Sequence, residues 1–384
     1  MQTDLFDPFG TTTDNQALRA LLRDRIRAEG PITFRDYMAT VAHHPTEGYY
    51  ARRAAIGTGG DFITSPEVHP LFGALIARQV AQFWELLARP APFVVVEQGG
   101  GTGKLARALL LALPQEVAAV TRYILVEPLP GWAAIQRATL GALSERVAWQ
   151  SERPERFDVL LSNELIDSFP VHRVVVREGR LRELYVGLDD AGGFVEVEGS
   201  PSTPALEAYF AAHGFLPGDG CFAEVNLDAL AWMADVAGHL SRGFVLTLDY
   251  GYPAARLYAP WRKQGTLLCF YRHISETDPY RRIGYQDITA HVDFTALARA
   301  GREHGLEVAG FTTQRDFLLA LGIGEALAAG PEALGLEEFL ARRRAVEALL
   351  DSEGLGRIRV LAQAKGITCP PLLGFVHDER ESLA

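Results

Sequence analysis

The sequence predicts an α/β fold with a doubly wound parallel sheet, and three observations support this prediction. Residues 93–113 contain a short β-branched run, a glycine-rich turn and an Ala/Leu-rich segment, which predict a buried strand, a turn and a helix. Further apolar runs at 122–127 and 157–164 each end in an acidic residue. Segments of helical period separate the runs, and such alternation is typical of βαβ units around a parallel sheet.

Residues 1–92 are expected to form an N-terminal arm with helices and a lid segment. Apolar residues at helical spacing predict one helix between 18 and 30 and a longer one between 72 and 87, which leads into the first strand. The stretch 32–70 between them carries turn signals and no regular period. So long an irregular stretch usually serves a site or a lid.

Residues 93–330 are expected to form the core of the fold. A β-rich insertion interrupts this core at about 170–222, where turn residues at 178–179 and 189–193 separate the runs of a predicted meander. Residues 331–384 are expected to add a C-terminal helical extension and a final strand at 372–376. The other predicted segments are helix 131–143, a weak strand at 147–149, helix 228–240, strand 244–249, a β-like run at 266–271, helix 294–304, strand 306–312, and helices 315–321 and 336–350.

The glycine-rich turn at 97–103 follows the first predicted core strand, and its spacing separates three kinds of ligand cradle. A phosphate-binding P-loop needs a glycine at position 98 and a hydroxyl at position 105, where this chain has Gln98 and Leu105. A dinucleotide fingerprint that begins at Gly99 needs a third glycine at position 104, which is Lys104. These residues argue against the first alternative and weaken the second.

The remaining pattern is an acid, Glu97, followed by three alternate glycines, Gly99, Gly101 and Gly103. Such an acid suits a cationic amino-acid group or a ribose better than a pyrophosphate, which it would repel. A second acid, Glu127, closes the next predicted strand, where folds of this class hold ribose hydroxyls. The pattern resembles the adenosylmethionine site of class I methyltransferases. The alternative is a plain glycine turn with ordinary acids at the strand ends.

Composition limits the classes of protein to which the chain can belong. Its 384 residues are 48% hydrophobic, which is enough for a sizeable core. No apolar run approaches the ~18 residues of a membrane span. The formal net charge of −11 argues against a nucleic-acid-binding protein, because such proteins carry a basic surface.

No metal site is expected from the cysteines and histidines. The three cysteines are scattered and show neither zinc spacing nor a disulfide framework. The adjacent His43 and His44 lack a third ligand nearby, so structural roles are expected for both. The first thirty residues contain several acids and no apolar signal core, so no secretory or mitochondrial leader is indicated. A cytoplasmic protein is therefore expected.

Several motifs together resemble those of the MidA-like family, which includes mitochondrial complex I assembly members. They occur in the order expected for that family over roughly residues 30–320, and this agreement is far more specific than a single motif. Gly100 departs from the family pattern, which usually has Pro there, and Thr102 stands where Arg is common. The matching stretches are 37–38, 44–45, 48–50, 60–67, 72–73, 97–103, 162–171, 249–251 and 287–294.

The resemblance implies a seven-stranded, Rossmann-like methyltransferase sheet that uses S-adenosylmethionine as its cofactor. It also implies a protein arginine as methyl acceptor, which in mitochondrial relatives belongs to a respiratory-complex subunit. By the same resemblance, Asp61, Thr64, Ser65, Glu67 and Asn163 are expected to bind the cofactor together with the acids and glycines named above. Ser65 also fits an N-cap before a proline at the start of a short helix.

Three further acids, Glu164, Asp167 and Asp249, are the candidate catalytic residues. Methyl transfer from a sulfonium is an in-line displacement, so catalysis depends mainly on positioning the acceptor. Carboxylates that bind a guanidinium through two oxygens fix its plane. Glu164 and Asp167 follow the fourth predicted core strand on the substrate side, and Asp249 closes the next strand. The alternative roles are helix capping and solvation at strand ends.

Two questions remain open at the level of sequence. His291 and Asp293 could form an acid–base pair, but we expect Asp293 to cap the helix that begins near position 294. The insertion at 170–222 could be a homodimer contact or a substrate platform.

Three other functions are alternatives to protein arginine methylation. The acceptor could be a small molecule or another protein residue. The chain could instead be a non-catalytic assembly factor that binds the cofactor. A nicotinamide oxidoreductase is a third alternative, which Lys104 disfavours.

Overall fold

A seven-stranded sheet formed within residues 93–365 is the centre of the fold. The computed structural model describes residues 14–52 and 63–384. In these ranges the strands, in chain order, are β1 (Ile32–Thr33), β2 (Phe93–Gln98), β3 (Thr121–Val126), β4 (Val147–Gln150), β5 (Val159–Asn163), β6 (His172–Arg177), β7 (Arg180–Leu188), β8 (Phe194–Gly199), β9 (Phe222–Val225), β10 (Gly243–Asp249), β11 (Gly251–Tyr252), β12 (Leu268–Tyr271), β13 (Ile274–Glu276), β14 (Asp287–Thr289), β15 (Val292–Asp293), β16 (Glu307–Thr313) and β17 (Arg359–Lys365).

The α-helices lie on both faces of this sheet and around its edges. Within the described ranges, none of them has both the length and the apolar composition that crossing a membrane requires. In chain order they are α1 (Gln16–Glu29), α2 (Phe34–His43), α3 (Ser65–Val68), α4 (Leu71–Leu86), α5 (Lys104–Ala112), α6 (Gln115–Val120), α7 (Pro130–Leu140), α8 (Pro204–Ala211), α9 (Leu227–His239), α10 (Ala254–Leu257), α11 (Phe294–Glu303), α12 (Gln314–Ala320), α13 (Gly330–Leu334) and α14 (Leu336–Leu350).

The strand order of the central sheet is β16-β17-β10-β5-β2-β3-β4. The five strands from β10 to β4 are parallel, and β17 runs antiparallel to both of its neighbours. From β2 the chain builds outward through β3 and β4, and it then returns to the other side of β2 with β5 and β10. The order therefore reverses between β2 and β5, and ligands of such sheets bind at this reversal. The predicted α/β fold is confirmed.

The final strand is the main error of the prediction. Residues 372–376 are not a strand, because Leu373–Phe375 form a 3-10 turn. The strand that completes the sheet is β17, which lies between β16 and β10 with its first six residues buried. A buried Gln363 and charged residues at both ends interrupt its apolar run, which explains why the sequence did not predict it. Its burial depends on two neighbouring strands that are distant in sequence.

The N-terminal part is more regular than predicted. The two expected helices are confirmed as α1 and α4. However, the stretch 32–70 was expected to be irregular, and α2 lies inside it. Thr33 caps α2 by accepting a hydrogen bond from the backbone N–H of Asp36, and the helix buries Phe34, Tyr37, Met38, Val41 and Ala42 at helical spacing.

A second sheet contains the predicted meander. The described residues place β6, β7 and β8 in a five-stranded sheet, in which β1 and β9 are also paired. The insertion also contains α8, which the sequence analysis did not predict. One apolar cluster joins this sheet to α1 and α2, and another joins it to α8 and α10. The insertion is therefore packed against the body of the protein over much of its surface.

We expect Leu361→Ala in β17 to lower the free energy of unfolding by about 2–5 kcal/mol, because it deletes buried methyl groups. Leu373→Ala, in the wrongly predicted strand, is the matched control, since Leu373 is 49% exposed. Its effect should stay within about 0.5 kcal/mol. Urea unfolding followed by circular dichroism measures both. Equal losses for the two variants would contradict the assigned strand.

Candidate active site

A cavity of about 560 Å³ opens at the carboxyl ends of the parallel strands, where the strand order reverses. Ser65, Gly103 and Asp249 do not line it, although each adjoins residues that do. Asp61 lies outside the described residues. The predicted site residues that line the cavity are Thr64, Glu67, Glu97, Gly99, Gly101, Glu127, Asn163, Glu164 and Asp167.

The glycine turn forms the floor of the cavity at the end of β2. Gly99, Gly101 and Gly103 have φ angles of 77°, 48° and 84°, a region that favours glycine. A Cβ atom on Gly100 would lie 2.6 Å from a methyl group of Leu125, so this position is also restricted. The turn therefore brings bare backbone to the cavity and leads directly into α5.

Glu97 is buried at the end of β2, where the Tyr123 hydroxyl donates a 2.6 Å hydrogen bond to its Oε2 atom. Burial raises the pKa of the Glu97 carboxyl to about 7, although this hydrogen bond opposes the shift. The acid is thus positioned by a neighbouring strand. A cationic ligand in the cavity would favour its ionised form.

Glu127, at the end of β3, is joined to the glycine turn by Gln136 of α7. The Gln136 amide donates 2.9 Å to Glu127 Oε2 and 3.1 Å to the backbone oxygen of Gly101. Trp149 in turn donates 2.9 Å to Gln136 Oε1, which fixes the amide orientation. Sequence analysis did not identify Gln136, because it lies in the middle of an ordinary helix and only the fold brings it to the acid.

Glu67 connects the segment before α4 with the glycine turn. Its two oxygens accept hydrogen bonds from the Thr102 hydroxyl and the Lys104 ammonium, both at 2.5 Å. Ser65 was predicted as an N-cap, but Thr64 is the residue that precedes α3. The Ser65 hydroxyl instead donates to Gln314 at 2.9 Å. These bonds hold residues 64–68 over the cavity.

Glu164 follows β5 with a φ of 50°, which is unusual for a residue other than glycine and costs about 1–3 kcal/mol. Its Oε1 atom accepts hydrogen bonds from the backbone of Ser65 at 3.1 Å and from Asn163 at 3.0 Å. Its Oε2 atom has no hydrogen-bond partner among the described residues. Burial raises the pKa of the Glu164 carboxyl to about 8.

Asp167 and Asp249 lie close together but face different groups. Asp249 is fully buried, and its oxygens accept hydrogen bonds from the backbone N–H groups of Leu165, Ile166 and Tyr250. It therefore holds the turn that carries Glu164 and Asp167, and its carboxylate does not line the cavity. The pKa of Asp167 is raised well above its usual value, first by burial and then by the charge of Asp249.

The third acid on this wall of the cavity is Asp287, whereas Asp249 was expected there. Asp287 lies in β14, and the Tyr50 hydroxyl donates a 2.6 Å hydrogen bond to its Oδ1 atom. Asp287 and its cross-strand partner Phe270 both line the cavity, as does the neighbouring pair of Thr289 and Leu268. This small sheet of β12, β13 and β14, rather than the insertion at 170–222, therefore forms a wall of the site.

The cavity wall beyond Glu164 carries Tyr250, His291 and Arg357. The rings of Tyr250 and His291 are stacked with centroids 6.3 Å apart, and the Arg357 guanidinium lies 5.5 Å from the centre of the Tyr250 ring. Burial lowers the pKa of His291 to about 3, so its imidazole is neutral. Asp293 caps α11 through the backbone of Ala296, which confirms its expected role.

His43 also lines the cavity, where it stacks on Tyr50 and its Nε2 atom lies 3.0 Å from the backbone oxygen of Ser168. Burial lowers its pKa. In the described part of the chain, no group of three His, Cys, Asp or Glu residues is placed to hold a metal ion. The contacts of His43 are those of a residue that positions the turn after β5.

Acidic groups outnumber cations on the described walls of the cavity. Six carboxylates line it, from Glu67, Glu97, Glu127, Glu164, Asp167 and Asp287, against the side chains of Lys104 and Arg357. Lys104 is already paired with Glu67. Buried carboxylates are expensive to ionise without a positive partner, so the site favours cationic ligands.

Comparison with known proteins agrees with this geometry. Residues 75–312 match the model of a family described as "Putative S-adenosyl-L-methionine-dependent methyltransferase". The crystal structure of a COG1565 superfamily member from Burkholderia thailandensis, bound to S-adenosyl-homocysteine, is 37% identical to this chain. It superposes with a TM-score of 0.86 and covers 94% of this chain and 95% of its own. A native structure of a COG1565 superfamily protein from the same organism gives 36% identity and a TM-score of 0.85.

Curated relatives are named as protein arginine methyltransferases. The NDUFAF7 homolog of Drosophila melanogaster is 28% identical over 94% of this chain and 88% of its own length. Human NDUFAF7 is 29% identical over 78% of this chain and 72% of its own length. Both are named mitochondrial, as is the mouse protein. The expected cytoplasmic location is therefore contradicted by these relatives.

The residues of the cavity fit S-adenosylmethionine. Its sulfonium and ammonium groups are cations, which suits the excess of acids, and its ribose hydroxyls can donate to Glu127 at the end of β3. Asn163 Oδ1 is buried without a hydrogen-bond partner among the described residues, which leaves an acceptor for a ligand group. By its sequence match, its structural relatives and the fit of its cavity, the chain belongs to the family of S-adenosylmethionine-dependent methyltransferases.

Proposed function

We propose that this methyltransferase transfers the methyl group of S-adenosylmethionine to the guanidinium of a protein arginine. The observation that supports this acceptor is the group of three acids, Glu164, Asp167 and Asp287, on the cavity wall. Burial and mutual repulsion raise the pKa of both Glu164 and Asp167. A guanidinium stays charged at every physiological pH, and its five N–H donors match several carboxylate oxygens.

Glu164 and Asp167 differ from the other acids of the cavity in what they contact. Glu67 is paired with Lys104, and Glu127 accepts hydrogen bonds from Gln136 and from the backbone of Leu129. Glu164 keeps one oxygen without a partner among the described residues, and the Asp167 carboxyl accepts a hydrogen bond from the backbone N–H of Ser168. Glu164 and Asp167 are thus available for a planar cation.

S-adenosylmethionine supplies the methyl group as an electrophile attached to a sulfonium. We assign cofactor binding to Thr64, Glu67, Asn163 and the glycine turn, with Glu97 toward the amino-acid end and Glu127 toward the ribose. Ser65 acts through the backbone N–H that it donates to Glu164, and Gly103 shapes the turn.

Glu164 and Asp167 orient the acceptor guanidinium so that one nitrogen faces the methyl group. As the new carbon–nitrogen bond forms, the bond between the methyl carbon and sulfur would break and S-adenosyl-homocysteine would leave. That nitrogen also loses a proton, and the ionised Glu164 Oε2 is suited to accept it because the pKa of this carboxyl is raised to about 8. Asp249 is a positioning residue, since it binds the backbone of the turn that carries both acids. Asp287 is the third acid that faces the acceptor.

The name of the relatives is the second support for this proposal. NDUFAF7 proteins are named protein arginine methyltransferases. We further propose a subunit of a respiratory complex as the acceptor protein, on the basis of the family resemblance and the NDUFAF7 name. The following experiments distinguish this proposal from two alternatives. In one the acceptor is a small molecule, and in the other the cofactor has a purely structural use.

We expect Glu164→Gln and Asp167→Asn each to lower kcat/KM for methyl transfer by at least about 100-fold, because each removes a charge that binds the acceptor. The dissociation constant of S-adenosyl-homocysteine, measured by calorimetry, should change by less than about threefold. Transfer is followed with methyl-labelled cofactor and a cell extract, and mass spectrometry identifies the labelled residue.

Glu152→Gln is the matched control, because Glu152 is an exposed acid outside the cavity. It should leave both measurements unchanged. Label on a small molecule, or on a protein residue other than arginine, would contradict the proposed acceptor. Full activity of both acid variants would contradict the proposed role of the two acids.

We expect kcat/KM for the acceptor to rise with pH between about 6 and 8.5. At pH 6 the Glu164 carboxyl, with its pKa raised to about 8, holds a proton in the free enzyme and binds a cation poorly. Above pH 8 it is ionised, whereas the guanidinium remains charged, so no fall follows in this range. Initial rates in constant-ionic-strength buffers measure the profile. Glu164→Gln should flatten the rise, and a wild-type rate that is constant or falling from pH 6 would contradict this assignment.

A further inference from the structure

Arg357 is a cation on the cavity wall that has no acidic partner among the described residues. Its guanidinium forms no ion pair or hydrogen bond with a side chain or carbonyl of the described residues, and its Nε atom is buried without a partner. The other charged cation on the described walls, Lys104, is bound to Glu67. Arg357 is half-buried. A guanidinium that is partly removed from water without a partner is costly, so a ligand group is expected to bind it.

Arg357 carries the positive charge of the cavity wall that it shares with Tyr250 and His291. Its guanidinium lies over the Tyr250 ring, which fixes the side chain on one side. The neighbouring His291 is neutral, and its Nδ1 atom is also buried without a hydrogen-bond partner in the described part of the chain. The side chains of Arg357 and His291 thus each carry a polar atom that has no partner among the described residues. Arg262 lies over Tyr252 and Trp261 and does not line the described walls of the cavity.

The sheet separates Arg357 from the cofactor residues. Along one edge, β3 ends before Glu127, β2 leads to the glycine turn, β5 leads to Glu164, and β10 ends at Asp249. β17 is antiparallel and pairs Arg359 with Asp249, so its first residues lie at the same edge. Arg357 thus stands beyond Glu164 on the side away from Glu127. The methyl acceptor occupies this side if Glu127 binds the ribose.

The distance along this edge of the sheet, from the end of β5 to the end of β17, gives the expected separation between the target arginine and the group that binds Arg357. β5 and β17 are separated by β10, which places their ends two strand spacings apart. With ~4.8 Å per spacing this is roughly 10 Å. An extended peptide advances ~3.3 Å per residue, so roughly three residues cover that distance. The group that reaches Arg357 would then come from a near neighbour of the target arginine.

We propose that Arg357 binds a side-chain carboxylate of the acceptor protein, from an Asp or Glu about three residues from the methylated arginine. This inference rests on the proposed protein arginine acceptor and extends it to a sequence preference. The site then recognises a pair of opposite charges: Glu164 and Asp167 bind the guanidinium, and Arg357 binds the carboxylate. Arginine is suited to this role because its planar fork binds both oxygens of a carboxylate.

Two peptide libraries of equal length test the proposal, each with one central arginine. In one, Glu is fixed at the third position on both sides of the arginine, and in the other Gln takes the same positions. Initial rates of labelling with methyl-labelled S-adenosylmethionine are compared for the wild type and for the Arg357→Gln, Arg357→Lys and Arg262→Gln variants. Calorimetry measures the dissociation constant of S-adenosyl-homocysteine for each protein, and thermal unfolding confirms that each is folded.

We expect the wild type to label the Glu library about tenfold faster than the Gln library, because a partly buried ion pair contributes to binding on this order. Arg357→Gln should reduce this ratio to less than about twofold, Arg357→Lys should restore part of it, and Arg262→Gln should retain it. S-adenosyl-homocysteine affinity should change by less than about threefold in all variants. The loss of preference with unchanged cofactor affinity is a result that a merely structural role of Arg357 does not produce.

Three results would overturn the inference, and they are distinguishable. Equal labelling of the two libraries by the wild type would exclude the carboxylate subsite while leaving the proposed function intact. A tenfold or greater loss of S-adenosyl-homocysteine affinity in Arg357→Gln, with no change in library preference, would assign Arg357 to the carboxylate of the cofactor. Labelling of neither library would contradict the peptide arginine acceptor itself, and the inference with it.

Discussion

An excess of acids over cations on the described walls of the cavity, at the point where the strand order of the sheet reverses, is the constraint on which the rest of the site depends. Glu164, Asp167 and Asp287 line one region of the cavity, and Asp249 lies directly behind them. Burial and mutual repulsion make full ionisation of this group unfavourable in the free protein. The folded protein tolerates this group of acids because a cationic ligand can neutralise their charge. The same acids therefore destabilise the empty site and favour a cationic ligand.

The charged groups at the two ends of the cavity differ in the hydrogen bonds that they form with the rest of the protein. On the side of the glycine turn, Glu97, Glu127 and Glu67 each receive hydrogen bonds from neighbouring strands or helices. These acids are oriented before a ligand arrives, which reduces the entropy lost on binding. Beyond β5, neither the Oε2 atom of Glu164 nor the guanidinium of Arg357 has a hydrogen-bond partner among the described residues. Preorganised acids thus lie at the end of the cavity that we assign to the cofactor, and groups without partners lie at the end that we assign to the acceptor.

The backbone around Glu164 shows how the fold maintains this geometry. The residue has a positive φ, and the turn after it is held by Asp249, whose oxygens bind three backbone N–H groups. Strain of this kind persists only where surrounding bonds determine the conformation. Asp249 is accordingly a buried acid that acts through the backbone. In the mechanism that we propose, its contribution to the reaction is indirect, even though it lies next to both Glu164 and Asp167.

Sequence by itself determined six of the seven strands of the central sheet, the glycine turn and most acids at strand ends. Parallel strands end at a common edge, so Glu97, Glu127 and Glu164 can be placed together from local patterns alone. Tertiary structure decided the rest. β17 is a strand because two distant strands cover it, and Asp249 faces backbone amides because the turn after β5 folds over it. Asp287 and Arg357 reach the cavity from segments far along the chain, and a local pattern contains no information about such long-range contacts.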